Sequence, residues 1–588
     1  MTEQNSDVNG GLHLPTENRA AKNSNSTYEL LDQIHSSPRR IRIIHVGAGV
    51  SGLLTAYKAE RLLTNYEFIC YEKNPVIGGT WWENRYPGCA CDVPSPIYSF
   101  SFEPNPKWER FYASSDEIQQ YMLDFCAKYD LEKYIRLNKR VVSAVWSEDQ
   151  GQWTIQIEDD CGISYDHCDV LINGTGVVNK WKWPEVEGLE SFKGTLVHSA
   201  NWDPSTSWKD QRVALIGIGS SAIQLLPELA QGSKSVHIFG RSPTWISPPW
   251  GYDAREASSE SSDDLPTHEF VFTDSERAKF ESDPDAYLLY RKKLETRLDK
   301  AFPIFLRDSP HSQYAKQVMR GIMEKRLGPG NEELKKKIIP EFSPGCRRLT
   351  PGNGFLETFR EDHIHFEYDG VQSLTEKGLV SISGKTFEFD LIVCATGFDV
   401  SYIPHFNITG IDGLSMQEAW AEEPNIYLSL TAPKFPNYFV INGPTGNWAQ
   451  GCVLPSHEIQ VEYALKCCKK MQEDRIKALE VRQFPTAQFN AHLDLWHRQY
   501  SVWAENCHSW YKNSKEEGRV YLWPGSLLHM LKTLSVPRFE HYDIRYQDDN
   551  IWASLGLGRT ALEQRDLDGE IVDLAPFIRN SDVPWSID

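Results

Sequence analysis

Two glycine turns, Gly47-Ala-Gly49-Val-Ser-Gly52 and Gly217-Ile-Gly219-Ser-Ser-Ala222, are the residues whose spacing most directly implies chemistry. Without side chains at the glycine positions, the backbone can approach a pyrophosphate closely, and the N–H groups that open the next helix can bind it. Such a turn works only between a strand and a helix. Both turns have that setting: Ile41-Arg-Ile-Ile-His-Val46 and Val213-Ala-Leu-Ile216 read as buried strands, and each turn leads into a helix-like stretch. Second strands follow, Phe68-Ile-Cys-Tyr-Glu72 and Val236-His-Ile-Phe-Gly-Arg241. The repeat predicts an α/β fold with two Rossmann-like dinucleotide-binding domains, and so two bound dinucleotides.

The residue closing each second strand separates the two sites. Glu72, 25 residues after Gly47, can accept hydrogen bonds from ribose hydroxyls and would repel a phosphate there. Arg241, 24 residues after Gly217, offers a guanidinium to a 2′-phosphate. The second unit then takes NADPH, with Ser220 and Ser221 opening its helix, and the first takes FAD. Electron transfer between a nicotinamide and a flavin is the chemistry this pairing implies.

Composition narrows the remaining classes. The net charge of -20 disfavours nucleic-acid and anionic-membrane partners. No apolar run is long enough for a bilayer, so no stable membrane anchor is expected, and no secretory signal opens the sequence. A soluble, cytoplasmic protein is the expectation. None of the twelve cysteines forms a CxxC pair, which predicts free thiols, no metal site and no redox-active disulfide. No feature specifies an oligomeric state.

Residues 1–37 are polar and lack hydrophobic periodicity, as in a disordered tail. Residues 38–178 form the first part of the FAD-binding domain and 179–252 the first part of the NADPH-binding domain. A helical insertion is expected over 253–340, beginning with the polar stretch Ser258–Asp264 and continuing through amphipathic helices over Ser275–Leu306 and Gln313–Ile339. It is placed to cover a substrate site. Residues 341–389 complete the NADPH-binding domain, and 390–588 complete the FAD-binding domain and add a C-terminal segment. The strand Phe389–Cys394 runs into Ala395-Thr396-Gly397 much as Val170-Leu-Ile-Asn runs into Gly174-Thr-Gly176. These exits mark the chain's crossings between domains.

The segment Phe192-Lys-Gly194-Thr-Leu-Val-His198-Ser-Ala-Asn-Trp202-Asp203 fits the FxGxxxHxxxW(P/D) fingerprint of type I Baeyer-Villiger monooxygenases at every fixed position. Gly78-Gly79-Thr80-Trp81-Trp-Glu-Asn-Arg85-Tyr-Pro-Gly88-Cys-Ala-Cys-Asp92 resembles the same family's GGTW…RYPG…D segment. Together with the two glycine turns and Ala395-Thr396-Gly397, the resemblance covers residues 40 to about 450. It implies insertion of one oxygen atom of O2 beside a ketone carbonyl through an anionic flavin peroxide, giving an ester or lactone.

In Gly345-Cys-Arg347-Arg348, the resemblance assigns Arg348 as the catalytic arginine that stabilises the peroxide and Asp92 as the carboxylate that orients it. Arg347 aligns with a secondary 2′-phosphate contact, where the best-known members carry lysine. The resemblance implies that the fingerprint shapes domain motion and so gives His198 a conformational role ahead of acid-base chemistry, with Phe192 and Trp202 as packing residues. Asn437–Thr445 resembles a glycine-proline turn returning to the flavin, or a strand with an ordinary turn. Trp503 through Trp510-Tyr511 reads equally as an apolar wall or a buried cluster. Ketones from simple rings to the polycyclic intermediates of secondary metabolism suit this machinery. A flavin monooxygenase oxidising nitrogen or sulfur is the nearest alternative, and a flavoprotein scaffold or redox sensor is the alternative outside catalysis.

Overall fold

The computed structural model describes residues 28–248, 271–448 and 451–587. It forms two compact units, one of residues 38–547 and one built from the two ends of the chain. The polar stretch 258–264 and most of the expected N-terminal tail lie outside the described residues. Residues 28–37 do not stand alone: His35 N–H donates to Arg559 O at 2.7 Å and Ser36 N–H to Ser554 O at 2.8 Å.

Within the larger unit the chain builds two parallel five-stranded sheets in turn. The strands in chain order are β1 (Ile41–Val46), β2 (Tyr66–Tyr71), β3 (Ile135–Arg136), β4 (Val170–Asn173), β5 (Thr195–His198), β6 (Arg212–Ile216), β7 (Ser235–Phe239), β8 (Ile364–Glu367), β9 (Leu391–Cys394) and β10 (Tyr438–Val440). The first sheet runs β10-β4-β1-β2-β3 and the second β8-β7-β6-β9-β5. Their central strands are buried along nearly their whole length, as continuous apolar runs in doubly covered parallel sheets must be. In each sheet a first strand lies between a βαβ partner and a strand that leaves for the other sheet.

Eight helices matter for the site: α1 (Val50–Leu62), α2 (Ser115–Lys128), α3 (Ser220–Ala230), α4 (Asp274–Ser282), α5 (Pro284–Lys300), α6 (Pro310–Leu327), α7 (Glu332–Ile338) and α8 (Leu454–Glu473). Helices α4–α7 occupy the region read as amphipathic. Their described residues do not line the cavity below. Instead, the buried Arg291 of α5 donates to the carbonyls of Pro96 (2.8 Å), Phe100 (3.1 Å) and Ser101 (3.3 Å), bracing the loop behind Asp92. Surface strands at 140–168 with 407–409, and at 371–388, flank the two sheets.

Cys346 and Cys507 form a disulfide across 161 residues of sequence, which corrects the expectation of thiols throughout. Pairing at that separation leaves no local spacing to read. The other ten cysteines are free, and all but Cys161 are buried.

Candidate active site

A cavity of about 1000 Å³ runs between the two sheets and is lined by both glycine turns. Gly47 (φ +100°) lies so close to the β4 exit that a Cβ would meet Gly174 O at 2.8 Å, and Gly217 (φ +120°) lies against the β9 exit, where a Cβ would meet Ala395 O at 2.4 Å. The two turns therefore adopt the same arrangement against equivalent strands. Helices α1 and α3 start at Gly49 and Gly219 with no side-chain cap and no acidic residue in the first turn. Helices α2, α4 and α6, by contrast, are capped by Ser114, Thr273 and Ser309. The N–H groups at the two glycine turns are thus left for an anionic ligand, which fits a pyrophosphate at each.

Gly47, Gly49, Glu72, Gly79, Thr80 and Trp81 line the cavity on the first sheet's side. Glu72, 4% exposed, accepts from Ala48 N–H at 2.7 Å and Asn74 N–H at 2.8 Å, each through a different oxygen. Burial pushes its carboxyl pKa up, against those two hydrogen bonds. Its remaining lone pairs suit ribose hydroxyls. Trp81 is held by donation from its indole N–H to Tyr98 OH at 3.2 Å. Gly52 lies under the turn and outside the cavity, where a Cβ would strike Gly47 O at 2.3 Å.

Gly219, Ser220, Ser221, Thr396 and Gly397 line the opposite side. Arg241 is exposed just beyond β7 and packs beside Gly370. Arg347 comes to the same strand end, donating to Ser242 Oγ at 3.0 Å and Pro243 O at 2.9 Å, and burial lowers its guanidinium pKa to about 10. Two arginines distant in sequence thus flank the end of β7.

Arg348 and Asp92 meet on the cavity wall. The guanidinium donates in parallel from Nε to Oδ2 at 2.7 Å and from NH2 to Oδ1 at 2.6 Å, with each side chain about one-fifth exposed, toward the cavity. Burial alone would lower the arginine's pKa, but the Asp92 carboxylate outweighs it, so the charge is fixed. Helix α3 carries both partners' loops. Tyr86 OH donates to Gln224 Oε1 at 2.7 Å and Gln224 Nε2 to Ala90 O at 2.9 Å, while Ser220 Oγ and Thr350 Oγ1 are 2.8 Å apart. One helix therefore sets one nucleotide turn and the ion pair together.

The fingerprint forms the edge strand β5 and the turn beyond it, outside the cavity. Phe192 and Trp202 are packing residues, and Gly194 fits under Asp390 O, which a Cβ would meet at 2.5 Å. Asp203 caps its own turn, accepting from Ser205 N–H and Oγ–H at 2.8 and 2.7 Å. His198 is 1% exposed, stacks on Trp181 at 4.8 Å and accepts at Nδ1 from Ala200 N–H at 3.1 Å. Its Nε2 therefore carries the proton and donates to Thr396 Oγ1 at 3.2 Å, while Thr396 donates to Lys182 O at 3.1 Å. His198 reaches the site through this cavity-lining threonine, a link no sequence pattern signals.

Burial lowers the His198 pKa to about 4 from its usual 6.5. The neutral ring's stabilisation is complete above pH 6.5 and is lost as pH falls from there through about 4, because the unfolded chain takes up the proton first. His198→Gln is expected to flatten the fall in unfolding free energy between pH 6.5 and 4 by about 1.4 kcal/mol per pH unit. Denaturant titrations at several pH values measure it, and an unchanged slope refutes the neutral assignment.

Sequence reasoning missed other cavity residues. Val453, Leu454 and His457 at the start of α8 line it, with His457 Nδ1 donating to Val453 O at 3.0 Å and its other ring nitrogen left as an acceptor. Of the late aromatic segment, Trp510 and Tyr511 line the cavity, whereas Trp503 is fully buried and stacks on Phe305 at 5.6 Å. Both readings of that segment hold, for different residues.

Residues 39–252 match the family model described as flavin-binding monooxygenase-like. The chain is 39% identical over 540 residues to the FAD-binding monooxygenase tazF of Aspergillus terreus, spanning 91% of this chain and 94% of that protein. It is 30% identical over 497 residues to a Baeyer-Villiger monooxygenase of Pseudomonas aeruginosa, spanning 83% and 89%. Among solved structures, the closed form of cyclohexanone monooxygenase shares the fold with TM-score 0.73 at 22% identity, over 87% of this chain and all of that one. An oxidised steroid monooxygenase bound to NADP gives 0.72 at 24%, over 86% of this chain and all of that one. Fold and relatives define a flavin-dependent monooxygenase. The chain belongs to the flavin-binding monooxygenase family, in the branch that holds the Baeyer-Villiger enzymes.

Proposed function

We propose that the protein binds FAD at the first glycine turn and NADPH at the second, and that it inserts one atom of O2 beside a ketone carbonyl to give an ester or lactone. The observation that carries this reading is Arg348, held in two parallel hydrogen bonds by Asp92 on the wall of the cavity between the two turns. FAD, when bound, supplies the redox chemistry between NADPH and O2. Glu72 would hold its ribose and the α1 N-terminus its pyrophosphate, with the α3 N-terminus, Arg241 and Arg347 serving NADPH. Arg348 keeps a positive charge where negative charge develops on oxygen, and Asp92 fixes its direction without cancelling it. Trp81, Trp510 and Tyr511 limit water at that point. The proposed domain boundaries are those expected from the sequence.

The test is labelled O2 with a broad ketone panel. One labelled atom should enter each new ester or lactone linkage, with NADPH consumed in step. Efficient amine or sulfide oxidation with no ester from any ketone would replace this reading by heteroatom oxygenation.

Coenzyme choice is tested separately. Arg241→Ala should weaken NADPH binding by about 1.5–3 kcal/mol, the scale of a charge-assisted hydrogen bond, and leave NADH nearly unaffected. Titration of both coenzymes checks it, and equal losses would show that Arg241 does not read the 2′-phosphate.

A further inference from the structure

Arg348 lies two residues after one half-cystine, and Tyr511 lies four residues after the other. Cys346 and Cys507 are buried, 0% and 3% exposed, and neither lines the cavity. Their bond therefore acts on the site only through the two segments it joins. The first carries Arg347 and Arg348. The second, residues 501–516, is a coil of short turns with Trp510, Tyr511 and Ser514 on the cavity wall.

This second segment has little regular structure of its own to hold it. It is folded around the ammonium of Lys512, 1% exposed, which donates to the carbonyls of Glu505 and Glu516. Across to the first segment, Ser343 N–H donates to Glu505 Oε2 at 2.8 Å, and Gly345 leaves room for Phe305, whose ring lies 2.5 Å from the place of a Cβ. Tyr511, 1% exposed, ends beside the Arg348 guanidinium. Burial pushes its phenol up to about 12, and the arginine's charge pulls it down against that push. One face of Arg348 is thus set by Asp92 and another by a loop whose covalent tie is the disulfide.

We propose that the Cys346–Cys507 disulfide is a positioning element of the oxygenation site, that it holds the Trp510–Tyr511 wall closed on Arg348, and that a dithiol reductant releases that wall. Reduction puts two electrons and two protons into the S–S bond, giving two cysteine thiols, while the dithiol is oxidised to its own disulfide. The released loop admits water beside Arg348, and NADPH oxidation then ends in hydrogen peroxide in place of oxygenated product. The inference rests on the oxygenation reading above for its catalytic consequence. Its structural part does not.

The test compares oxidised holoenzyme, the same preparation after dithiothreitol, and the double variant Cys346→Ser/Cys507→Ser. Peptide mapping after alkylation without reduction should recover the 346–507 linked peptides from the first only. Hydrogen exchange of the amides of residues 501–516 should quicken on reduction, with bound FAD and the rate of flavin reduction by NADPH unchanged. Hydrogen peroxide formed per NADPH should rise about tenfold in the reduced enzyme and in the variant, and return to the starting value when the enzyme is reoxidised. Absence of the linked peptides overturns the proposal. So does a linked enzyme whose loop exchange and peroxide yield ignore reduction. Should the double variant fail to fold, the reversible reduction of the wild-type enzyme decides alone. Failure of the Baeyer-Villiger reading looks different: neither form gives ester, hydrogen peroxide accounts for all the NADPH consumed in both, and loop exchange alone still responds to reduction.

Discussion

Replacing Arg348 with alanine is expected to lower formation of oxygenated product by about a hundred- to a thousandfold, the usual loss when a preorganised charge-stabilising donor is removed. Flavin reduction should survive, because hydride transfer requires the two nucleotides in register and not this guanidinium. NADPH would still be consumed, with its electrons recovered as hydrogen peroxide. Stopped-flow absorbance follows the reduction, and product and peroxide assays follow the rest in one preparation. Arg348→Lys should restore little, since an ammonium cannot form the two parallel bonds that Asp92 now accepts. Normal ester formation by the alanine variant would remove Arg348 from the mechanism.

Asp92→Ala should destabilise the fold by about 3 kcal/mol, because it leaves the Arg348 charge in a mostly buried place without its partner. The double replacement Asp92→Ala/Arg348→Met should recover much of that loss, since no unpaired charge remains. Denaturant unfolding of the three proteins measures the coupling. A single-variant loss below about 1 kcal/mol would class the pair with solvent-screened surface bridges and weaken the case for a fixed guanidinium direction.

What the sequence made legible follows from how local each signal is. Strand, glycine turn and helix lie within 30 residues, so both nucleotide units could be read from spacing alone, and Glu72 and Arg241 fall where the second strands must end. Family resemblance, not spacing, joined Arg348 to Asp92, because 256 residues separate them. The pairing of Cys346 with Cys507 has neither kind of signal, so the sequence does not set these two apart from the ten cysteines that are free thiols. The hydrogen bond from His198 to Thr396 was hidden for a related reason: it depends on β5 lying beside β9, and strand order is not written in any one strand. The helical insertion was legible as helices but not as a brace, since amphipathic periodicity gives a buried face without saying what covers it.

The strand order also shapes how the chain can be made. β4 is buried at every residue, and its outer edge pairs with β10, which comes off the ribosome after the entire second sheet. At bacterial or eukaryotic translation speeds this leaves an apolar edge strand with unpaired backbone groups for roughly tens of seconds. Nascent chains in that interval are candidates for chaperone capture or for strand pairing with one another. A fragment ending after β4 never acquires its cover at all, so the first nucleotide unit cannot be harvested by simple truncation. Isolating it in soluble form would require grafting β10 and α8 back onto the fragment through a short linker.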